Sequence, residues 1–220
     1  MILTATMQDY AKVIYLLGED GRPVTNGQLA THFGISAPAI TEMIKKLAGH
    51  GIVDYHPRVG VRLTAEGTRV ALTVIRHHRL IELYLVTALG MPWDVVHAEA
   101  EILEHVLSDS LEARITAFLN DPQVDPHGAP IPARDGTVPH RPMHALATLL
   151  PGCAATVVAV DDRDAARLRY LASLGLVPNT RVVVAAQAPF DGPLTLDVGS
   201  QAIRQHLDAR LATQVFVQPD

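Results

Sequence analysis

Four side chains that could bind a divalent metal ion recur within a short stretch of this chain. His97, Glu101, Glu104 and His105 fall in a segment, 93–107, whose apolar residues repeat with helical spacing. At about 100° per residue, the four side chains would occupy an arc of about 100° on one face of that helix. Imidazole nitrogens and carboxylate oxygens on one face are suitable ligands for a transition-metal ion. An ordinary amphipathic helix with a solvated polar face would show the same pattern.

The preceding predicted helix carries a second pair of this kind. His78 and Glu82 are four residues apart in the segment 76–89, so they share one helical face. A solvated polar face explains one such helix, but His and carboxylate faces on two consecutive helices favour a metal site. The single cysteine, Cys153, excludes an internal disulfide framework and a multi-cysteine zinc site. Any metal site must therefore use His and carboxylate side chains.

The first 75 residues contain the expected elements of a winged helix-turn-helix. Apolar residues from Met7 to Leu17 repeat at helical spacing, and a second, short helix is expected over 26–32. Ser36 would cap a third helix. Two alternating segments, 51–55 and 61–64, flank a turn and predict a two-stranded wing. A helix, a tight turn, a second helix and a wing in this order are typical of DNA-binding domains.

The third helix is the expected recognition helix, whose N-terminal side chains would face the major groove. Thr41 could hydrogen-bond base edges, whereas the small apolar groups of Ala37 and Pro38 could meet thymine methyl groups. Nearby cationic side chains would bind phosphates. The candidate DNA-binding residues are Ser36, Ala37, Pro38, Ala39, Thr41, Glu42, Lys45, Lys46 and Arg58. A protein–protein module or a degenerate winged helix would show the same elements.

Charge is distributed unevenly along the chain. The formal net charge is −5, but residues 1–75 carry +1, residues 76–120 carry −4 and residues 121–220 carry −2. Only the N-terminal part is therefore electrostatically suited to DNA. The longest apolar runs have the length of strands rather than of membrane spans, and the first residues lack the features of a signal peptide. We therefore expect a globular, cytoplasmic protein with no membrane partner.

Composition indicates further boundaries. Residues 121–143 contain six prolines and two glycines, so this segment is a linker or an ordered irregular arm. A softer boundary falls at 67–76, where a turn-rich segment gives way to a helical pattern. The C-terminal part predicts a small β domain with strands at 155–160, 180–186, 194–198 and 213–217 and a helix at 163–174. The predicted chain is mainly α with small β parts, divided into domains 1–75, 76–143 and 144–220.

Five strings carry a resemblance to a known family. They are Met7-Gln8-Asp9-Tyr10, Ser36-Ala37-Pro38-Ala39-Ile40-Thr41-Glu42-Met43, Arg76-His77-His78-Arg79-Leu80, Glu101-Ile102-Leu103-Glu104-His105-Val106-Leu107-Ser108 and Asp125-Pro126-His127-Gly128-Ala129-Pro130-Ile131-Pro132. In this order and spacing they resemble the diphtheria-toxin-repressor family of metal-dependent regulators, and more closely its manganese-sensing branch. The resemblance implies a winged helix-turn-helix, a helical metal-binding and dimerisation domain, and an SH3-like (FeoA-like) β-barrel. The expected function is metal-dependent DNA-binding repression.

The resemblance also implies a set of metal ligands. The first site would use Asp9, Glu101, Glu104 and His105, and the second would use His78, Glu82 and His97, with Asp164 as the nearest match for a further ligand. Asp9 and Glu101 stand where iron-sensing relatives have sulfur-containing residues. An oxygen-rich set suits Mn(II) first and Fe(II) second, and other divalent transition metals could bind in vitro. Lys12 stands where manganese-sensing relatives have a Glu of a paired two-metal cluster, which favours separate sites.

The expected mechanism follows from the predicted domains in which these ligands lie. Asp9 belongs to the first domain and the other first-site ligands to the second, so an ion would bridge them and select one geometry. A homodimer with recognition helices about one DNA turn apart would then bind a palindromic operator. The apolar side chains expected to form the dimer face, or else intramolecular core, are Leu80, Leu83, Tyr84, Val86, Ile115, Phe118 and Leu119. The resemblance implies target genes for metal uptake and homeostasis.

Two alternatives remain from the sequence alone. One is a metal-independent winged-helix regulator, in which the central acidic side chains are simply solvated. The other is a metallohydrolase, but Glu101-x-x-Glu104-His105 departs at its first position from the His-x-x-Glu-His motif of zinc peptidases. We therefore expect no catalytic residues and no enzyme activity.

Overall fold

The computed structural model describes residues 3–18, 20–139 and 142–220. The predicted arm 121–143 thus includes two residues, His140 and Arg141, that lie outside the described part. The chain forms two compact units. The first combines the residues up to His78 with Leu103–Leu107 and Pro132–Thr137, and the second combines Arg79–Ile102, Ser108–Ile131 and Val138–Asp220.

The first unit begins with three helices whose ends are set by local signals. Their bounds are α1 (Ala5–Leu17), α2 (Asn26–Phe33) and α3 (Ala37–Gly49). Thr25 and Gln28 form a capping box at the start of α2, and Gly34, with a φ of 65°, ends it. Ser36 precedes α3 with an extended backbone. The three predicted helices are therefore present.

A two-stranded antiparallel wing completes the winged helix-turn-helix, which is confirmed. β1 (Val53–His56) pairs with β2 (Gly60–Leu63). Apolar side chains from the three helices and the wing form one core, whose buried members include Met7, Tyr10, Ile14, Leu29, Ile40, Ile44, Leu47, Val53 and Val61. Tyr10 also stacks on Phe33, with ring centroids 4.1 Å apart.

The next helix, α4 (Ala65–Leu89), is longer than predicted and has 25 residues. It runs without interruption through the boundary predicted at residue 75. Gly67, part of the supposed turn, has a packing role, because a Cβ there would lie 2.0 Å from the Ile52 carbonyl oxygen. Neither α4 nor any other helix in the described residues is long and apolar enough to cross a membrane.

The helix predicted over 93–107 is shorter in the structure. α5 (Val96–Leu103) ends before Glu104 and His105, which lie in the turn that follows. Ser108 then caps α6 (Asp109–Phe118) with an extended backbone. A helix cannot continue through the extended backbone of Ser108, but α5 already ends at Leu103. The prediction that all four ligands share one helical face is therefore wrong.

The C-terminal part of the second unit contains a six-stranded antiparallel sheet. Its strands, in the order β3-β8-β4-β5-β6-β7, are β3 (His144–Ala145), β4 (Ala154–Val160), β5 (Arg181–Gln187), β6 (Leu194–Val198), β7 (Ile203–Leu207) and β8 (Val215–Pro219). Their buried apolar residues form a core with Leu168 and Leu171 of α7 (Ala165–Ser173). A 3-10 turn (Leu146–Thr148) and α8 (Ala209–Ala212) complete this part. The small β domain is confirmed, whereas β3 and β7 were not predicted.

Candidate metal centres

The first cluster lies in the first unit and joins α1 to the turn after α5. Asp9 lies on α1, and Glu104 and His105 lie in the turn. One ligand atom from each residue lies within 4.8 Å of the other two. The Nε2 atom of His105 is 2.8 Å from Oδ1 of Asp9 and 3.5 Å from Oε1 of Glu104. Two carboxylates and one imidazole at these distances can hold one divalent ion.

The orientation of His105 also fits a cation at this place. Its Nδ1–H donates a hydrogen bond to Oε1 of Gln8, at 2.7 Å, so Nε2 faces Asp9. An unprotonated Nε2 and a carboxylate oxygen are both acceptors, and their approach to 2.8 Å requires a proton or a cation between them. A cavity of about 550 Å³ is lined in part by Gln8, Glu104 and His105.

Glu104 is fully buried, and both of its carboxylate oxygens are engaged. The Nδ1–H of His78 donates to Oε2 at 2.5 Å, and the ammonium group of Lys12 lies 2.6 Å from Oε1. His77 donates from Nδ1 to the Glu104 backbone oxygen at 3.0 Å. Lys12 is therefore the counter-ion of a predicted ligand. His78, which was predicted to belong to the second site, contacts the first cluster.

The second cluster lies in the second unit and gathers residues that are distant in sequence. Glu82 lies on α4, Asp125 and His127 lie in the irregular arm, and Asp162 follows β4. One ligand atom of each lies within 4.8 Å of the others. Nδ1 of His127 is 3.8 Å from Oε2 of Glu82 and 3.7 Å from Oδ2 of Asp162. Three carboxylates and one imidazole form an oxygen-rich set that suits a hard divalent ion.

Hydrogen bonds hold the two arm residues in place. The Nε2–H of His127 donates to the Trp93 carbonyl oxygen at 2.8 Å, and the two rings stack with centroids 5.4 Å apart. Oδ1 of Asp125 accepts from the amides of His127 and Ala129, at 2.8 and 2.9 Å. The other atoms, Nδ1 of His127 and Oδ2 of Asp125, are buried and form no hydrogen bond with any described residue. Buried polar atoms in this state are costly unless a ligand satisfies them, so the set fits a cation.

Electrostatics within the second cluster also favour a cation. Burial raises the pKa of Asp125 to about 7, and Glu82 adds to the shift, although Arg79 and His127 oppose it. Burial alone would lower the pKa of His127, but the carboxylates of Glu82, Asp125 and Asp162 raise it to about 9. A divalent ion would replace the proton on Nδ1 of His127 and compensate the clustered carboxylates.

Three of the predicted ligands lie at the margin of this cluster or outside it. His97 borders it, with Nδ1 3.3 Å from Oε1 of Glu82 and 4.0 Å from Oδ2 of Asp162. Glu101 lies next to His97, with Oε1 3.6 Å from Nε2. Asp164 caps α7, where its side chain accepts two amide hydrogen bonds from the first turn. The structure thus places Asp162, rather than Asp164, in the cluster.

Asp125, His127 and Asp162 were not identified from the sequence as ligands. Asp125 and His127 stand in one of the strings that carry the family resemblance, so a signal for them was present. Asp162 follows another aspartate in a loop, and that pattern alone indicates no metal site. Asp162 reaches the cluster because β4 ends beside the arm, where the Val160 amide donates to the His127 carbonyl oxygen at 2.9 Å.

Most of the candidate DNA-binding residues are exposed, and Thr41 is the exception. Its hydroxyl donates to the Ala37 carbonyl oxygen and accepts from Nδ2 of Asn26, both at 2.9 Å. The hydroxyl can still accept one hydrogen bond from a base amino group, whereas donating to a base would require the bond to Ala37 to break. Lys46 pairs with Glu42 at 3.3 Å, but such an exposed pair is weak and leaves the lysine available to a phosphate.

Family models match nearly the whole chain. Residues 2–61 match the N-terminal DNA-binding domain of iron-dependent repressors, residues 64–133 their metal-binding and dimerisation domain, and residues 144–219 a FeoA domain. The iron-dependent repressor IdeR of Mycobacterium leprae is 32% identical over 196 residues, which cover 83% of this chain and 84% of that protein. The chain belongs to the iron-dependent repressor family.

Solved structures of repressors are also similar to this member of the family. A manganese-dependent transcriptional repressor in complex with manganese has a TM-score of 0.90 and 41% identity, and the match covers 97% of this chain and all of that one (100%). ScaR with bound Zn2+ has a TM-score of 0.81 and 31% identity, covering 96% of this chain and 98% of ScaR. The family is one of iron- and manganese-dependent transcriptional repressors, which are not enzymes.

Proposed function

We propose that the co-repressor of this transcriptional repressor is Mn(II), with Fe(II) second. The observation that supports this proposal is the pair of clusters in which every ligand is a carboxylate or an imidazole. Such ligands suit Mn(II) and Fe(II), whereas thiolates favour softer ions. The relatives are named as both iron-dependent and manganese-dependent repressors, so the preference rests on the donor atoms. Other divalent transition metals would bind in vitro according to their general order of affinity.

Two ions per chain are proposed, one in each cluster. The first would be held by Asp9, Glu104 and His105, with Glu101 retained as a further ligand on the family resemblance. The second would be held by Glu82, Asp125, His127 and Asp162, with His97 at its margin. His78 would position Glu104 through the hydrogen bond at Oε2. In each cluster the bound ion supplies the positive charge that converging carboxylates need.

The first cluster would control DNA binding through α1. Asp9 is next to Tyr10, whose ring is buried in the core of the winged helix-turn-helix. An ion shared by Asp9, Glu104 and His105 would link α1 to the turn after α5, which lies far later in the sequence. α3 packs on the same core through Ile40. The tie would therefore favour one arrangement of α1 and the recognition helix over others.

A homodimer is proposed to bind a palindromic operator. In a symmetric dimer, two copies of α3 would face two half-sites about one DNA turn apart. Phe118 is 61% exposed and lies edge-on to Tyr84, with ring centroids 5.6 Å apart, so it offers an apolar contact to a second copy. Leu80 and Ile115 are buried within this chain and are removed from the predicted dimer face. We propose that the functional domains are 1–75, 76–143 and 144–220. The repressor would act in the cytoplasm, and its target genes would be those for metal uptake.

A DNA-binding titration with and without metal tests this function. With a fluorescent palindromic fragment from the promoter of a metal-transport gene, Mn(II) should raise the affinity roughly 5- to 150-fold, the usual size of coupling between two sites. His105→Ala should abolish the effect of Mn(II). If Mn(II), Fe(II) and Zn(II) all leave the DNA affinity of the parent unchanged, the chain is a metal-independent winged-helix regulator instead.

Two aspartates of one loop form a matched pair for the second ion. Asp162→Ala should lower the number of Mn(II) ions bound per chain by one, measured by equilibrium dialysis. Asp164→Ala should keep that number and cost about 1 kcal/mol of stability, because it removes the N-cap of α7 and an exposed ion pair with Arg167. Equal metal counts in the two variants would contradict the assignment of Asp162.

A further inference from the structure

Lys12 places a buried ammonium group inside the first cluster. Its side chain is 9% exposed, and Nζ lies 2.6 Å from Oε1 of Glu104, whose side chain is fully buried. Lysine is rarely buried to this extent unless it is paired. The chain has three lysines, and the other two, Lys45 and Lys46, are exposed on α3. The position of Lys12 is therefore set by Glu104 rather than by solvent.

Lys12 and a divalent ion would compete for the same oxygen atom. Oε1 of Glu104 is 3.5 Å from Nε2 of His105, which is 2.8 Å from Asp9. An ion shared by these three ligands must approach Oε1, because His78 already holds Oε2. An ammonium group and a dication within a few ångströms of each other repel strongly where water is scarce. Each therefore weakens the interaction of the other with Glu104.

We propose that Lys12 is an internal competitor of metal at the first cluster. Its ammonium group neutralises Glu104 in the metal-free protein and must leave Oε1 when an ion binds. This inference rests on the proposed function, because it concerns the same metal site. Lys12 thereby lowers the metal affinity of the cluster and sets the ion concentration at which the cluster fills. Ions that bind the cluster weakly would fail to displace the ammonium group.

A purely structural salt bridge would behave differently from a competitor. If Lys12 stayed on Glu104 in both states, its removal would destabilise the metal-free and metal-bound proteins alike. A competitor stabilises only the metal-free state, so its removal must tighten metal binding. The sign of the change in metal affinity therefore separates the two roles.

The test compares three single substitutions in the full-length chain. Lys12→Met keeps most of the side-chain length and removes the charge, Lys12→Arg keeps the charge, and Arg22→Met removes an exposed cation that pairs with Asp20 at the surface. Mn(II) affinity is measured by competition with a chromophoric chelator in an Asp162→Ala background, which confines binding to the first cluster. Thermal unfolding of the metal-free and Mn(II)-bound forms is measured in parallel.

The competitor model makes a definite prediction for these variants. Lys12→Met should bind Mn(II) roughly tenfold to a hundredfold more tightly, because a repulsion between buried charges is removed. Its unfolding temperature should fall only in the metal-free form, and Lys12→Arg and Arg22→Met should bind Mn(II) like the parent. Unchanged or weaker binding by Lys12→Met overturns the inference and leaves the proposed function standing. A parent that binds no Mn(II) overturns both.

Amine labelling of the wild-type chain gives a test that needs no variant. With an amine-reactive ester and mass spectrometry, Lys12 should react slowly without metal and several-fold faster with Mn(II), while Lys45 and Lys46 serve as internal references. A Lys12 labelling rate that Mn(II) does not change overturns the inference even if Lys12→Met fails to fold.

Discussion

Single residues show that the two clusters balance their charge differently in the absence of metal. In the first cluster, the ammonium group of Lys12 neutralises Glu104. In the second, the Arg79 guanidinium lies 3.7 Å from Oδ2 of Asp125, and protons contribute as well. Burial raises the pKa of Asp125 to about 7, and the surrounding carboxylates raise that of His127 to about 9. Metal should therefore displace a lysine side chain from the first cluster and protons from the second.

Asp125→Asn should stabilise the metal-free protein at neutral pH. The folded chain resists the ionisation of Asp125 between its ordinary pKa of 3.8 and about 7, so the wild type loses stability as the pH rises through this window. Near pH 8 in chelator, the free energy of unfolding of Asp125→Asn should exceed that of the wild type by up to about 4 kcal/mol. Near pH 4 the difference should be small, because Asp125 is neutral in the folded protein and only partly ionised in the unfolded chain.

Urea unfolding at the two pH values measures this difference. Asp121→Asn, which removes an exposed carboxylate of the same arm, should give no such pH-dependent gain. With saturating Mn(II) the sign should reverse, because Asp125→Asn loses a ligand. An equal gain near pH 4 and pH 8 would show that the stabilisation does not arise from the buried charge.

The irregular arm, residues 121–143, contributes two of the four ligands of the second cluster. Val124 and Pro130 form a bridge that closes the turn around Asp125 and His127. The turn lies so close to β4 that a Cβ on Gly128 would be 1.9 Å from the Val158 carbonyl oxygen. The segment predicted as a linker or ordered arm is thus an ordered connector that brings two ligands beside the loop after β4.

Gly128→Ala should separate the arm from β4 and abolish metal binding at the second cluster. Gly128 has a φ of 91°, which disfavours alanine, and the added Cβ would also collide with backbone. We expect a loss of stability of about 2 kcal/mol or more. Gly152→Ala is the matched control, because Gly152 has a φ of 90° with nothing within 4 Å of its Cβ position.

The two glycine variants are compared by thermal unfolding and by Mn(II) stoichiometry. Gly152→Ala should show only the backbone cost, about 1 kcal/mol, and should bind as many ions as the wild type. A Gly128→Ala variant that keeps both ions would show that the close approach to β4 is not needed to assemble the second cluster.

For the whole molecule, the side chains that form each described cluster belong to a single compact unit. Asp9, Glu104 and His105 belong to the first unit, because the turn 103–107 is part of it. Glu82, Asp125, His127 and Asp162 all belong to the second. Family models assign Asp9 to the DNA-binding domain and Glu104 and His105 to the metal-binding and dimerisation domain, so an ion that bridges these two domains stays a prediction. Metal binding at the two clusters can be measured and altered separately.

Phe118→Asp should weaken dimerisation and, with it, operator binding. A charge placed in an apolar interface is costly to desolvate, so the variant should sediment as a monomer at micromolar concentrations where we expect the wild type to be a dimer. Phe190→Asp is the control, because Phe190 is fully exposed in the loop between β5 and β6. If Phe118→Asp remains a dimer in analytical ultracentrifugation, the interface lies elsewhere.

The elements of the DNA-binding unit could be predicted from the sequence because local signals determine them. The capping box of Thr25 and Gln28, the left-handed Gly34 and the periodic apolar residues of α1 and α3 all act within a few residues of each other. The carboxylate and imidazole ligands of the first cluster were also predicted, because Glu104 and His105 are adjacent in a segment rich in such side chains. The family resemblance supplied Asp9, which no local pattern connects to Glu104.

Only the tertiary structure decided which side chains meet. α5 ends at Leu103, before Glu104 and His105, so the predicted helical face does not exist. The arm packs on β4 so that Asp162, and not Asp164, lies in the second cluster. Lys12 and Glu104, 92 residues apart, form a buried ion pair. Periodicity reports only neighbours within a turn or two of one element, whereas these contacts join positions far apart in sequence. Their geometry depends on how whole elements pack, and the residue types alone do not determine that packing.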